Sequence, residues 1–382
     1  MNTGVYLHIP FCSARCTYCD FNTYVGLEAL FAPYVRALLA EIAQYDGLPA
    51  QTLFFGGGTP SLLSPEQIGA LIEAARSAFQ LPPEAEITLE CNPGTVNLGY
   101  LRALRACGVN RLSFGAQSAI PPELSLLGRD HSWHTVAHAV HNAREAGFEH
   151  VNLDLIFGLP HQSLRDWEHT LHAALRLEPD HLSLYALTLE PGTPLHQQVR
   201  RGQLPSPDPD LTADMYEIAE ALLGEAGFEH YEISNWCRPG KACQHNLIYW
   251  RNEPYVGLGA GAHGFDLRRR YWRVRHPAEY VARVERGQTT EAGDEPISEP
   301  LARGETMMLG LRLLQEGVPQ DRFRARFGAP IEAFFAAELA EGTRRGLIEV
   351  TEQRVRLTPR GRFVSNQVMQ WFIPDVAAVA VA

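Results

Sequence analysis

Three cysteines near the start of the chain, Cys12, Cys16 and Cys19, form its most chemically informative motif. Three residues separate the first pair and two residues the second, all within one short polar stretch. Thiolates at such spacing can hold three irons of a cubane cluster, which leaves the fourth iron free for a ligand that is not protein. The motif therefore predicts a [4Fe–4S] cluster with one open position, where a small molecule can bind and react.

Other uses of these cysteines are less consistent with the sequence. A disulfide is disfavoured because the three crowd one turn and the residues before them do not resemble a secretory signal. Zinc remains an alternative, since His8 lies four residues before Cys12 and would complete a Cys3His set. Structural zinc usually takes its second pair of ligands from a distant segment, which favours the cluster. Three inert core cysteines on a polar loop are the least expected outcome.

The composition is that of a globular protein whose charge does not suit general nucleic-acid binding. The 382 residues suffice for one large and one small domain, and the net charge is −11. No apolar run is long enough to span a bilayer. Together with thiols that need reducing conditions, these features predict a cytoplasmic protein with no transmembrane segment.

Strand-like and helix-like segments alternate along the first part of the chain. Short apolar runs predict strands at 4–9, 51–56, 86–91, 111–115, 151–156 and 181–187. Periodic patterns predict helices at 28–45, 65–79, 97–107, 133–146, 164–176 and 210–226. Such βα repetition implies an α/β fold, with a parallel sheet covered by helices.

The pattern changes after residue 230. Residues 231–295 are rich in aromatic residues and glycine, and a break rich in proline and glutamate follows. Helical patterns at 299–313, 319–327 and 331–345 then precede a β-hairpin pattern at 347–357. Three helices and a hairpin predict a small winged-helix-like α+β domain. The predicted division of the chain is therefore 1–230, 231–295 and 296–382.

Polar groups and a glycine turn follow the predicted strands at their carboxyl ends. The cysteine motif follows the first strand, the glycine turn 56–60 the second, and Glu90, Gln117 and Asp154 follow the next three. Parallel βα sheets place their active sites at this edge. Each group alone has an ordinary explanation as a turn or helix cap, but their convergence predicts one pocket. The glycines also expose N–H groups that could bind a carboxylate or let a ligand approach closely.

The cysteine motif after a first strand, followed by Gly-Gly-Gly-Thr-Pro, resembles the radical S-adenosylmethionine (SAM) superfamily. The resemblance implies a partial (βα)6 barrel in which the cluster's open iron binds the amino and carboxylate groups of SAM. One electron from the cluster would then cleave SAM to a 5′-deoxyadenosyl radical. Cys12, Cys16 and Cys19 would ligate the cluster. The SAM pocket would be lined by Tyr6, Gly57, Gly58, Thr59, Glu90, Gln117, Arg129 and Asp154.

Further motifs make the chain similar to the HemW family of heme chaperones. They are Tyr6-Leu-His-Ile-Pro-Phe-Cys12, Tyr18-Cys-Asp-Phe21, Gly158-Leu-Pro160, Glu232-Ile-Ser-Asn235 and His245-Asn-Leu-Ile-Tyr-Trp250. This family is related to the oxygen-independent coproporphyrinogen III oxidase, HemN. The resemblance implies heme binding, and its most discriminating motif supplies the candidate residues His245, Asn246, Tyr249 and Trp250.

The residue types around this motif are compatible with heme. His245 could be an axial ligand, and Tyr249, Trp250 and Tyr255 offer flat apolar surface for a macrocycle. Five arginines could meet the propionates, namely Arg268, Arg269, Arg270, Arg273 and Arg275. The alternative is that His245 is a hydrogen-bonded core residue and that the arginines line a solvated strand.

The segment Gly259–Gly264 formally fits a dinucleotide-binding fingerprint, but an arginine-rich strand pattern follows it in place of a helix. We expect instead a loop of close backbone approach near the SAM site. A nucleic-acid partner for the hairpin arginines is disfavoured by the acidic composition. These arginines are Arg354, Arg356, Arg360 and Arg362.

The sequence thus predicts a heme chaperone that carries a [4Fe–4S] cluster and SAM. It would deliver heme to acceptor hemoproteins such as respiratory enzymes and receive electrons from a donor. The alternative is the oxidase, which converts coproporphyrinogen III to protoporphyrinogen IX. The oxidase pattern has a fourth cysteine where this chain has Phe21, and a longer segment than the eleven residues before Cys12. Both departures favour the chaperone, while whether the chain is an enzyme stays open.

Overall fold

Six parallel strands form the centre of the computed structural model, which describes residues 3–374. They are β1 Gly4–Ile9, β2 Thr52–Gly57, β3 Glu86–Cys91, β4 Arg111–Gln117, β5 His150–Phe157 and β6 His181–Ala186. Consecutive strands are neighbours in the sheet, and every pair is parallel. Each strand lies within two residues of its predicted bounds, which confirms the partial (βα)6 barrel.

Helices connect the parallel strands and cover the outer face of the sheet. They are α1 Phe31–Ile42, α2 Pro65–Ala78, α3 Leu98–Ala106, α4 Pro121–Leu126, α5 Trp133–Glu145, α6 Leu164–Leu175, α7 Pro194–Arg200 and α8 Pro209–Glu225. Ser64, Ser132 and Ser163 start α2, α5 and α6 with reciprocal capping boxes, which satisfy backbone groups at the helix ends. Within residues 3–374, no helix combines the length and apolar character needed to cross a membrane.

The aromatic- and glycine-rich region extends the same sheet at both edges. Its elements are β7 Glu229–Glu232, β8 Asn235–Cys237, α9 Gln244–Trp250, β9 Tyr255–Leu258, β10 His263–Phe265, β11 Arg269–Arg273, α10 Pro277–Glu285 and β12 Glu291–Pro296. Strand β8 pairs antiparallel with β6, and β9 pairs parallel with β1. The result is a sheet of twelve strands among the described residues, in which β9 lies beside β1 and β10, β11 and β12 follow outward in that order. Helix α9 packs against β2.

A buried carboxylate fastens this extension to the barrel. Glu41 of α1 is 1% exposed and accepts hydrogen bonds from Tyr280 (2.6 Å) and Thr290 (2.6 Å). It also accepts the N–H of Gly259 (3.0 Å) and pairs with Arg273 (3.0 Å). A buried charge is stable only when paired and hydrogen-bonded in this way. The contacts therefore fix β9–β12 against α1.

The C-terminal region forms a separate small core. Its elements are α11 Glu299–Gly310, β13 Val318–Pro319, α12 Gln320–Phe327, α13 Glu332–Arg344, β14 Ile348–Val350, β15 Arg354–Leu357, α14 Pro359–Phe363 and α15 Ser365–Gln370. Strands β14 and β15 form the predicted hairpin, and β13 adds a third strand. The helices and this sheet enclose Met307, Phe323 and Leu339, which confirms the winged-helix-like prediction.

Candidate cluster and cofactor site

The glycine turn after β2 holds the loop that carries the cysteines. The N–H of Gly58 donates to the Ile9 carbonyl (2.8 Å), and the N–H of Thr59 donates to the Phe11 carbonyl (2.7 Å). A Cβ on Gly58 would lie 2.5 Å from the Phe11 carbonyl oxygen, so the approach requires glycine. Gly57 has a φ of +111°, which also favours glycine. These N–H groups bond to protein oxygens and are not free for a ligand carboxylate. The alternative, that the glycines let a ligand approach closely, stays a prediction, and Gly57 and Gly58 do line the cavity described below.

The cysteine loop is tied down on its other sides as well. The N–H of Cys12 donates to the Tyr24 carbonyl (2.9 Å). Thr17 donates its N–H to the Leu127 carbonyl (3.1 Å) and its hydroxyl to the Leu126 carbonyl (2.7 Å). The loop therefore bridges the start and the middle of the barrel, which fixes where its thiols lie.

A cavity of about 420 Å³ lies at the carboxyl ends of the parallel strands and gathers most of the predicted site residues. Those that line it are Cys12, Cys16, Cys19, Gly57, Gly58, Thr59, Glu90, Gln117, Arg129 and Asp154. Tyr6 is the exception, because it lines a different cavity and its hydroxyl bonds to His8 (3.1 Å). The thiols and seven of the eight predicted SAM-pocket residues thus share one space.

Arg129 places a cation beside the thiols. Its Nη1 donates to the Cys16 sulfur (3.3 Å) and its Nη2 to the Gly115 carbonyl (2.9 Å). The Nε of Arg129 is buried and has no partner among residues 3–374. A buried unsatisfied donor on a cavity wall is a natural place for an acceptor such as a carboxylate. Arg129 could therefore hold the carboxylate of SAM.

Two acidic residues face the same cavity from β3 and β5. Glu90 accepts the N–H of Gly57 (3.1 Å), and Asp154 accepts from Ser113 (3.0 Å) and Asn152 (2.7 Å). Burial, and then the charge of Asp154, raise the pKa of Glu90 to about 8. Burial also raises the pKa of Asp154. Carboxyl groups held in this way could bind ribose hydroxyls.

Gln117 occupies an unusual backbone conformation at the end of β4. Its φ is +66°, and the pairing of β4 with β5 shifts by one residue between Gly115 and Gln117. A bulge of this kind redirects a side chain at the end of a strand. Gln117 lines the cavity of the thiols, and its role in SAM binding stays a prediction.

The three thiols fit a cluster better than the zinc alternative. His8 bonds to Tyr6 and to the Asn22 carbonyl (3.0 Å), so it is not a fourth ligand beside the cysteines. Within residues 3–374, no three His, Cys, Asp or Glu side chains are arranged around a single metal ion. Cubane thiolates bind different irons and need not converge on one point. Burial raises the pKa of Cys12 and Cys19, so iron binding must displace their protons.

Sequence reasoning missed several residues of this site. Tyr185, at the end of β6, lines the cavity and is 44% exposed, and Phe21 in the cysteine loop is 64% exposed. Ser113 and Asn152 orient Asp154 from the inner faces of β4 and β5. Tyr185 could have been predicted, because it lies at the carboxyl end of the sixth strand and site residues had already been predicted at the carboxyl ends of the first five.

The heme candidates on α9 divide between the core and a cavity. His245 is 1% exposed, and its Nδ1 and Nε2 bond to Thr52 (2.7 Å) and Tyr249 (2.9 Å). Burial lowers the pKa of His245 to about 3, so the ring is neutral. In this conformation a heme iron would have to displace Thr52 or Tyr249 to reach it. Tyr249 and Trp250 line a cavity, whereas Asn246 is not among its lining residues.

Three of the five arginines assigned to propionates are engaged in ion pairs. Arg269 pairs with Glu291, Arg270 with Glu305 (2.9 Å), and Arg273 with the buried Glu41. The side chains of Arg268 and Arg275 form no ion pair within residues 3–374, and both residues are exposed. The expectation that the whole group is free for a ligand is therefore wrong.

The loop 259–264 lies where the cysteine loop returns to the sheet. Asn22 donates to the Ala260 carbonyl (3.1 Å) and to the Arg275 carbonyl (2.9 Å). A Cβ on Gly259 would come within 2.7 Å of the His8 carbonyl oxygen. The glycines of this loop thus allow close backbone approach beside β1, and the arginine-rich strand β11 follows it, as the sequence indicated. The predicted position near the SAM site is wrong, because Gly261 and His263 line the cavity of Tyr6 and Tyr249 and not the cavity of the thiols.

Comparisons with known proteins agree with this geometry. The family model of the radical SAM superfamily matches residues 6–174, and that of the HemN C-terminal domain matches residues 301–364. The heme chaperone HemW of Mycobacterium tuberculosis is 41% identical over 374 residues, covering 96% of this chain and 94% of the relative. HemW of Bacillus subtilis is 37% identical over 379 residues, covering 98% and 100%. The chain belongs to the HemW family.

A solved structure shows the same architecture. Coproporphyrinogen III oxidase (HemN) from Escherichia coli, a radical SAM enzyme, superposes with a TM-score of 0.84 and 25% identity. The match covers 97% of this chain and 90% of HemN. Membership of the HemW family, within the radical SAM superfamily, implies a [4Fe–4S] cluster and SAM. The cavity that holds the three thiols and Arg129 fits both groups.

Gly58→Ala should weaken cluster assembly. The added methyl group would clash with the Phe11 carbonyl and push the cysteine loop from the glycine turn, at a cost of about 1–3 kcal/mol. We expect lower iron per chain after anaerobic reconstitution and a lower free energy of unfolding. Gly94→Ala is the matched control, because a Cβ there meets no atom within 4 Å. Equal iron content and stability in the two variants would show that the docking contact is unimportant.

Glu90→Gln should change how stability depends on pH. The pKa of Glu90 is about 8 in the folded chain, above the value of about 4.3 for an unfolded glutamate. Its contribution to stability is therefore present at low pH and is lost as pH rises to about 8. Because one pKa unit corresponds to about 1.4 kcal/mol, the loss amounts to a few kcal/mol.

The check is urea unfolding of the metal-free chain across this pH range. The wild type should lose more stability than Glu90→Gln between pH values of about 5 and 8. Glu84→Gln, at an exposed site, should follow the wild type. Parallel curves for the wild type and Glu90→Gln would mean that the buried carboxyl is already ionised at low pH.

Proposed function

We propose that this chain is a heme chaperone that binds heme and transfers it to acceptor hemoproteins, and that it carries a [4Fe–4S] cluster and SAM. The observation that carries the proposal is the similarity to heme chaperones over almost the whole of both chains. Heme chaperone HemW of Escherichia coli is 37% identical over 386 residues, covering 97% and 98%. In this proposal Cys12, Cys16 and Cys19 hold the cluster.

The related oxidase is the second candidate, because HemN shares the fold over both regions of the chain. Two observations favour the chaperone. Identity to HemN is 25%, against 41% to a heme chaperone. Phe21 stands where the oxidase pattern has a fourth cysteine, and its exposed ring lines the mouth of the cluster cavity.

The proposal assigns different tasks to different parts of the chain. Residues 1–230 would hold the cluster and SAM, and residues 231–295 would provide the heme-binding wall through Tyr249 and Trp250. Residues 296–382 would form the C-terminal domain. Support comes from the position of the two aromatic side chains, which line one cavity together with Tyr255.

The proposed setting is the cytoplasm. All seven cysteines are unpaired, which suits a reducing compartment, and an exposed cluster also requires reducing conditions. An electron donor would keep the cluster reduced. The acceptors would be hemoproteins such as respiratory enzymes, which must bind heme more tightly than the chaperone for transfer to proceed.

Heme transfer and porphyrinogen oxidation can be separated in one preparation. We expect the anaerobically reconstituted chain to bind heme with a new Soret band and to release it to apomyoglobin, because the acceptor binds heme more strongly. It should leave coproporphyrinogen III unchanged when SAM and a reductant are supplied. The measurements are absorbance for transfer and chromatography of the porphyrins.

A variant with all three cysteines of the motif replaced by serine is the matched control. It separates heme binding from any contribution of the cluster. Formation of protoporphyrinogen IX by the wild type, and not by this variant, would establish the oxidase instead. If heme causes no change in the wild-type absorbance spectrum, the proposed heme-chaperone function is refuted.

A further inference from the structure

A separate cavity lies at the amino ends of the parallel strands, opposite the edge that carries the cysteine loop. Its volume is about 430 Å³, within the range of small-molecule sites. It shares no lining residue with the cavity of the thiols or with the cavity of Tyr249 and Trp250. Four consecutive strands contribute their first residues to its wall, namely Thr52 of β2, Glu86 of β3, Arg111 of β4 and His150 of β5.

Arg111 is a buried cation without a partner. The residue is 4% exposed, and its guanidinium forms no hydrogen bond or ion pair within residues 3–374. A charge removed from water is normally paired, because its desolvation is costly. Every other buried charged side chain in the described part of the chain has at least one such partner. These side chains are Glu41, Glu123, Glu232, Glu253, Arg273 and Glu305. The wall of the cavity therefore presents an unsatisfied positive charge.

The acidic groups whose charges act on Arg111 are engaged elsewhere. Glu86 accepts the N–H groups of Gln244 (3.0 Å) and His245 (2.9 Å), so its charge stabilises the start of α9. Asp154 accepts hydrogen bonds from side chains of β4 and β5. Neither carboxylate forms an ion pair with Arg111. Their charges reduce the cost of burying the guanidinium but leave its N–H groups without an acceptor.

His150 supplies a second donor in the same wall. It is the partner of Arg111 in the pairing of β4 with β5. Its Nε2 lies 3.4 Å from Nζ of Lys241, and an ammonium group can only donate, so this ring nitrogen is the acceptor. Burial and the charges of Lys241 and Arg111 lower the pKa of His150, which keeps the ring neutral. The proton of the neutral ring is then on Nδ1, which can donate to a ligand.

The charges around the cavity favour a small ligand with one negative charge. Arg111 supplies one positive charge, and the neutral ring of His150 supplies none. The exposed charged residues of the wall are Glu84, Arg105 and Glu149, and the two carboxylates would repel a polyanion such as a nucleic acid. The planar fork of a guanidinium matches the two oxygens of a carboxylate.

We propose that a small molecule with a single carboxylate binds in this cavity, with the carboxylate on the guanidinium of Arg111 and His150 as the second donor. The site is independent of the proposed heme function, because it lies apart from both cavities described above. The competing explanation is that Arg111 is only a structural countercharge for Glu86 and Asp154, since the amino ends of barrel strands usually carry stabilising contacts.

The test is saturation-transfer difference NMR of sodium acetate with the full-length chain at neutral pH. The wild type should give a saturable signal for the acetate methyl group. Arg111→Met should weaken acetate binding at least about tenfold, because it removes a charge-assisted pair of hydrogen bonds. Arg111→Lys keeps the charge without the planar fork and should bind with intermediate affinity. Arg165→Met, at an exposed site on α6, is the matched control and should behave as wild type.

A second arm of the test identifies the class of anion. Inorganic phosphate carries more negative charge than acetate at neutral pH, so it should compete poorly for the same site. Displacement of acetate by a lower concentration of phosphate would overturn the assignment to a singly charged carboxylate.

Urea unfolding of the same variants without acetate separates binding from a structural role. A lower free energy of unfolding in Arg111→Met, with unchanged acetate affinity, would mean that Arg111 is only a countercharge and would overturn the proposal. If Arg111→Met does not fold, Arg111→Lys decides, and a wild-type affinity in that variant would overturn the role of the guanidinium. The absence of a saturable signal in the wild type would overturn the site itself.

Discussion

The structure depends on the docking of one polar loop onto one glycine turn. Two backbone hydrogen bonds, from Gly58 to Ile9 and from Thr59 to Phe11, join the loop of the cysteines to the end of β2. Without a side chain at Gly58, the two backbones approach closely enough for both bonds to form. The thiols are thereby held in the cavity that Arg129, Glu90 and Asp154 also line. The close approach of these two backbones therefore creates the site for a cluster and a charged cofactor.

The barrel and its extension act together because buried polar groups connect them. Glu41 binds α1 to the extension strands, and His245 inserts from α9 against the first residues of β1 and β2. Both side chains are satisfied by hydrogen bonds, as buried polar groups must be. The consequence is that the cavity lined by Tyr6, Tyr249 and Trp250 lies beside the same β1 that leads into the cysteine loop.

Much of this could be predicted from local sequence, and the rest depends on contacts between distant segments. The parallel strands gave clear patterns because they are buried on both faces, whereas β13 has two residues and gave none. The site residues at the carboxyl ends of the strands could be predicted from the βα topology. The buried, hydrogen-bonded position of His245 could not be predicted, because it depends on Thr52, 193 residues away. The pairing of Arg273 with Glu41 was equally invisible, since it depends on how α1 packs beside β11.

The most direct test of the central claim is the Mössbauer spectrum of the anaerobically reconstituted chain, with and without SAM. We predict a four-iron cluster in which one iron changes its parameters when SAM is added, because three cysteines leave that iron open. Zinc in place of iron, or four irons that do not respond to SAM, would contradict the assignment of Cys12, Cys16 and Cys19.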